Sequence, residues 1–139
     1  MRLGIKVTGV EENRQALERL QAELMPTMMA PVNETGQLVY DDLATYPDPV
    51  PNSDYVRTYN YRDSLEPLLE MENNVVTYTV AENATYSVYL RGDDAAYPGA
   101  WMHVGRWLSL VQIEAKRLPL FIQNVEQAII DLIGRLFGG

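Results

Sequence analysis

His103 is the only histidine in the chain, and the carboxylates of Asp93 and Asp94 stand shortly before it. An imidazole near two carboxylates is the raw material of acid–base catalysis or of a metal site. Three such groups are too few to commit zinc to a geometry, and neither a Ser-His-Asp order nor a phosphate-cradling glycine loop accompanies them. Cysteine is absent, which removes thiol nucleophiles, thiolate metal ligands and disulfides. The expectation is a protein that is not an enzyme, with no catalytic residue, no cofactor and no metal. His103 is expected to be structural, its ring packed between Trp101 and Trp107 with one nitrogen hydrogen-bonded to backbone.

A second group of residues points to binding. In "YPDPVPNSDYVRTYNYRDSL", Tyr46 to Leu65, prolines alternate at Pro47, Pro49 and Pro51, and tyrosines then surround Arg57. Alternate prolines favour polyproline II, which is already extended and loses little chain entropy on docking. Tyr46, Tyr55, Tyr59 and Tyr61 each carry an apolar ring with a polar tip, suited to a partly wet protein interface. The Arg57 guanidinium suits stacking on a tyrosine or a bidentate pair with a carboxylate. Within one chain that contact would anchor the arm from Pro47 to Tyr61; between chains it would fix their register.

These residues need a scaffold, and the 139-residue chain is the size of one domain, able to bury about two thirds of its unfolded surface. "LGIKVTG", Leu3 to Gly9, alternates and reads as a first strand, and Thr8 and Glu11 have the spacing of a capping box. Leu17, Leu20, Leu24 and Met28 form one apolar stripe, continued by Val32, Leu38, Val39 and Leu43. The spacing predicts a helix from about Glu11 to Tyr46 with one break near Pro26 or Pro31. Pro47 to Asn52 follows as an extended connector.

"YRDSLEPLLEMENN" and "NVVTYTVAEN" read as two strands, with Glu72, Asn73 and Asn74 as the turn and Val76, Tyr78 and Val80 on one face. Ala84 to Gly92 fits either a strand or a short helix, with helix preferred, and Gly92 to Trp101 reads as a loop. The remainder is mainly helical, with a turn near Lys116 and Pro119 in the first turn after it. Leu118, Phe121, Ile122, Val125, Ile129, Leu132, Ile133 and Leu136 give it a broad apolar stripe. Gly138 and Gly139 are expected to fray. The fold class predicted is α+β: a long N-terminal helix, a small antiparallel sheet and a C-terminal helix in a single domain.

The first fifteen residues lack a secretory apolar core, and no apolar run reaches the roughly 18 residues of a membrane span. A soluble chain made in a cytoplasm is expected, so the sequons at Asn33 and Asn83 carry little weight. A net charge of -8 argues against a nucleic-acid reader, which needs clustered Lys and Arg.

Tyr46-Pro47, Tyr55-Val56-Arg57-Thr58, Ser64, Tyr86, Tyr89-Leu90, Gly92, His103 and Trp107 stand in an order that resembles the tail-component family of long-tailed bacteriophages. Its members include minor tail, tail-completion and head-tail joining (neck) proteins. The chain departs from the family pattern at Tyr59 and Tyr61, where the family has Gly and Leu. The resemblance covers roughly Glu11 to Leu136, with the specific motifs in the middle sixty or so residues.

The resemblance implies a structural virion protein, made in the host cytoplasm, that forms a ring at the head-tail junction, with sixfold symmetry. Its partners would be other copies of itself, the phage connector or head-completion protein, and a tail-tube or tail-terminator protein. The subunit interface would use Tyr46, Pro47, Pro49, Pro51, Tyr55, Arg57, Thr58, Tyr59 and Tyr61. DNA would pass through without sticking, and Asp41, Asp42, Asp93 and Asp94 are candidates to line the channel, although a solvated surface explains these carboxylates equally. A small monomeric or dimeric adaptor or inhibitor, binding a cellular protein through the tyrosine-rich arm, is the alternative from a different class.

Overall fold

Alternating sequence becomes a hairpin at Leu65–Glu72 (β1) and Val75–Glu82 (β2), which pair antiparallel with Leu65 opposite Glu82 and Glu72 opposite Val75. The structure is a computed structural model that describes residues 4–54, 59–83, 90–91 and 106–138. Asn73 and Asn74 turn the hairpin with φ of 51° and 60°, the two-residue left-handed turn whose twist matches that of the strands. Asn accepts this backbone better than most residues. Val76, Tyr78 and Val80 share one face, as the alternation predicts, and the hairpin packs on the long helix α1, Val10–Ala44.

Gly36 in α1 makes that packing close. A Cβ there would lie 2.1 Å from a ring carbon of Tyr78, so the ring occupies the space a side chain would need. Gln37 Nε2 donates to the Tyr78 hydroxyl at 2.8 Å, which holds the ring's polar tip at the rim of the contact.

The predicted break in α1 does not occur. Pro26 and Pro31 both lie inside one helix of 35 residues. Each removes only one backbone donor, and the second helix packed along α1 supplies the stability that local propensity lacks. The predicted capping box is also absent. Gly9, at φ 79°, precedes the helix without a side-chain cap, and Glu11 instead accepts hydrogen bonds from Arg14 and Gln15.

Residues 4–8 form no strand, and Ile5 and Val7 are 86% and 72% exposed. Alternation makes a strand only where a neighbouring edge takes up its backbone groups, and residues 4–8 pair with no strand among the described residues. "YRDS" is likewise not strand: Asn60–Asp63 is a helical turn, α2, and β1 starts after it.

The C-terminal helix α3, Leu110–Phe137, runs unbroken through Lys116 and Pro119, where a turn was predicted. Its start is fixed by a capping box not anticipated from the sequence. The Ser109 hydroxyl accepts from the Gln112 amide at 3.2 Å, and the Gln112 side chain accepts from the Ser109 amide at 2.8 Å. Gly138 does not fray; its amide donates to the Gly134 carbonyl at 2.8 Å. α3 lies antiparallel against α1, with Arg135 bound to Glu23 at 2.8 Å at one end and Lys116 and Arg117 bound to Asp42 at the other. The long N-terminal helix, two-stranded antiparallel sheet and C-terminal helix make the α+β single domain expected. Its core of Leu43, Tyr61, Leu65, Trp107 and Ile113 sits where the end of α1, α2, β1 and the start of α3 meet.

Candidate functional site

The last four carbonyls of a helix lack donors within it, and α1 ends at Ala44, with Thr45 in extended backbone at φ -83° and ψ 122°. Arg91 meets this need. Its guanidinium donates to the carbonyls of Leu43 at 2.5 Å, Asp42 at 3.4 Å and Leu108 at 2.7 Å, while its Nε donates to the Tyr61 hydroxyl at 2.8 Å. A buried cation at the negative end of a helix is favourably placed. One side chain thus ties the end of α1, α2 and the segment leading into α3.

Tyr61 is 0% exposed. Its hydroxyl accepts from Arg91 and donates to Glu82 Oε1 at 2.6 Å, which connects the junction to the end of β2. Burial, reinforced by the Glu82 hydrogen bond, pushes this phenol far above its ordinary value. It stays neutral at physiological pH and works as a structural link. Trp107 packs edge-on to Tyr61 at 5.8 Å and to Tyr46 at 4.9 Å, and the Arg91 guanidinium lies 5.0 Å from the Trp107 ring.

The base of the arm is built on these rings. Tyr46 packs edge-on to Tyr59 at 5.0 Å, and its hydroxyl accepts from the Arg62 amide at 3.3 Å. Arg62 lies 4.6 Å from the Tyr59 ring. Arg106 donates to the Asp48 carbonyl, just beyond Pro47. The connector is not extended throughout: Ser53 donates to the Val50 carbonyl at 3.1 Å and Asn52 has φ 62°. This is a tight turn with Pro51 in its second position and a left-handed third residue.

Tyr59 also has a left-handed backbone, at φ 59° and ψ 18°. That conformation costs a side-chain-bearing residue roughly 1–2 kcal/mol, and the contacts of its ring with Tyr46 and Arg62 oppose the cost.

The expected interface residues therefore divide. Tyr46 and Pro47 are half-buried at the base of the arm, while Pro49, Pro51 and Tyr59 are exposed. Tyr61 belongs to the core, because the helical turn at Asn60–Asp63 rotates it away from Tyr59 and inward. Tyr55, Arg57 and Thr58 lie outside the described residues, as do Asp93, Asp94, His103 and Trp101.

The two described candidates for an acidic lining also part company. Asp41 is exposed. The Asp42 side chain is only 9% exposed, and its carboxylate accepts from Arg117 at 2.6 and 2.8 Å and from Lys116 at 2.9 Å. Burial raises the carboxyl's pKa, but the two cations outweigh it and hold it below the ordinary value. Asp42 is an internal link between the helices rather than a free surface charge.

Arg91 is the residue sequence reasoning missed, along with the pairing of Asp42 with α3. Among the described residues no cluster of three or more His, Asp or Glu side chains is placed to hold a metal ion, and no helix is long and apolar enough to cross a membrane. What the arrangement does is hold Asp48 and Tyr59, on either side of the turn at residues 50–53, against Arg106 and Tyr46. No protein-family model, no curated protein and no solved structure matches this chain.

Proposed function

We propose that this chain is a structural virion protein that forms a ring at the head-tail junction of a long-tailed bacteriophage. In this reading it joins the connector to the tail and leaves a channel for DNA. The observation that carries the reading lies where the chain departs from the tail-component pattern. Tyr59 stands where that family has Gly, and its backbone is the left-handed one that Gly takes most easily. Tyr61 stands where the family has Leu, and it is fully buried, as an apolar residue would be. A Gly would take the backbone of Tyr59 without strain, and a Leu would suit the buried place of Tyr61.

Further support comes from the convergence of the described motif residues. Tyr46 and Trp107 are in ring contact, and Leu90 packs on the same core. Ser64 sits next to it, its hydroxyl donating to the Tyr61 carbonyl at 2.7 Å. The described motif residues, Tyr46, Ser64, Leu90 and Trp107, thus come together around the base of the arm. The arm reaches the next subunit or the connector with Tyr55 and Tyr59 as anchors and Arg57 as the register pin. Asp41, Asp93 and Asp94 remain the candidates for a lining that repels phosphate.

The test is electron microscopy of lysates from the parent phage with a stop codon early in this gene. Filled heads and finished tails lying unattached are the expected result. Normally joined particles would overturn the reading and favour an adaptor that binds a cellular protein through the arm. Replacing Tyr55 and Arg57 together by Ala tests the arm itself: a folded chain that assembles poorly is expected, and normal assembly would remove the arm's role.

A further inference from the structure

Gly4, Ile5, Lys6, Val7 and Thr8 alternate as a strand does, yet they pair with no strand among the described residues, and Ile5 and Val7 stand in solvent. Their backbone lacks an edge to complete it. The hairpin has the opposite lack. Glu72 and Val75 flank the two-residue turn and bond to each other, which aims the amides and carbonyls of Met71 and Leu69, and the carbonyl of Pro67, away from β2. No strand among the described residues takes up that side of β1. Pro67 has no amide to offer and sits where an edge strand tolerates proline, so the usable edge is residues 68–72.

Segment and edge match in side-chain pattern and in charge. Leu69 and Met71 share the face of Tyr78 and Val76, their partners opposite, and Met71 is 49% exposed at the uncovered side of that face. A strand laid on this edge with Ile5 and Val7 on the same face would extend it. Lys6 would then point to the other face, beside Glu70 and its neighbours Glu66 and Glu72, which are all exposed. Neither Lys6 nor any of these three carboxylates forms an ion pair among the described residues. The β2 edge offers Lys6 no such partner, because its residues on that face are Val75, Thr77, Thr79 and Ala81.

A chain cannot make this contact with itself. Gly36, which lies against Tyr78, is about 39 Å along α1 from Val10, whereas Gly4 is at most about 21 Å from Val10. The segment falls short of Leu69 and Met71 of its own hairpin. A second copy has no such limit.

We propose that residues 4–8 add as a third strand to the β1 edge of a second copy, with Ile5 and Val7 beside Leu69 and Met71 and Lys6 against Glu70. Backbone hydrogen bonds hold the segment, and the alternating side chains fix which face it turns inward. Segment and edge are different surfaces, so the contact is heterologous and repeats from copy to copy, closing into a ring where the rotation permits. It does not involve the arm and does not depend on the virion reading.

Sedimentation velocity of the purified full chain over a concentration series tests this. The wild type should associate reversibly. The double variant Ile5→Asp, Val7→Asp should remain monomeric with an unchanged circular dichroism spectrum, since neither side chain is packed within the single chain. Lys6→Glu and Glu70→Lys should each weaken association by about fivefold, and both reversals in one chain should restore most of it. A wild type that stays monomeric at about 100 μM, or an Ile5→Asp, Val7→Asp variant that associates as tightly as wild type, would overturn the proposal. So would a combined Lys6→Glu, Glu70→Lys variant no better than either single change. Unattached heads and tails in the phage experiment beside a monomeric wild type would sink this inference alone. Normally joined particles beside an associating wild type restored by the paired reversals would sink the virion reading alone.

Discussion

The junction at the end of α1 and the outer side of α3 both carry large apolar side chains, yet these end in opposite states. At the junction Tyr61, Trp107, Leu43 and Ile113 are closed in, and a buried cation satisfies the helix carbonyls that closure would otherwise strand. Along α3, Leu118, Ile122 and Ile133 have no equivalent cover among the described residues. The difference lies in which elements arrive. Four segments converge at the junction, whereas a single helix, α1, runs beside α3 and one helix covers only one side of another. Closure at the junction holds this molecule together, and the outer side of α3 stays exposed.

If that division is correct, damage to the junction should cost stability, and changes on the outer side of α3 should cost little. The largest effect is expected for Tyr61→Ala, which leaves a cavity and strips Glu82 and Arg91 of their shared partner. Urea unfolding should show a loss of about 3–5 kcal/mol, against about 1–2 kcal/mol for Tyr61→Phe, which removes only the hydroxyl. Ile122→Glu measured in the same way on dilute protein should change stability by less than about 0.5 kcal/mol. Equal losses at Tyr61 and Ile122 would break the comparison.

Asp42 gives the next effect. Its folded pKa lies below the ordinary 3.8, so its pairing stabilises the fold above that value and is lost as pH falls through the lower folded value. Asp42→Asn should cost about 1 kcal/mol at neutral pH. Between about pH 5 and about pH 2 the variant should lose less stability than the wild type. Parallel pH curves for the two proteins would remove Asp42 as a link between the helices.

The smallest effect separates backbone from ring at Tyr59. Tyr59→Ala and Tyr59→Gly both delete the ring contacts, but only Gly relieves the left-handed backbone. Tyr59→Ala should be the less stable by about 1 kcal/mol. A reversed order would mean that the turn does not require φ 59°.

What could be read from the sequence was what local chemistry decides. The hairpin was legible because Val76, Tyr78 and Val80 alternate and Asn73-Asn74 accepts a left-handed turn. The two long helices were legible from their stripes, but their continuity was not. Pro26, Pro31 and Pro119 looked like breaks because a proline's cost is local while the packing that outweighs it is not. Asp42 looked like the twin of Asp41, yet one step along a helix turns a side chain by about 100°, and here that step separates solvent from α3. Tyr61 looked like Tyr59 because the turn of helix between them leaves little sequence signature. Arg91 gave no signal of its role, since the carbonyls it binds are distant in the chain.

That distance also sets an order in time. The hairpin and each helix can form from neighbouring residues, but the guanidinium reaches the Leu43 and Asp42 carbonyls across sequence separations of 48 and 49 residues. Closing so long a loop is slow and entropically costly compared with winding a turn of helix. The turn itself winds locally, and its cap waits on a contact between distant parts of the chain. Until Arg91 arrives, the last carbonyls of α1 lack the donor that ties them to Tyr61 and to the segment before α3.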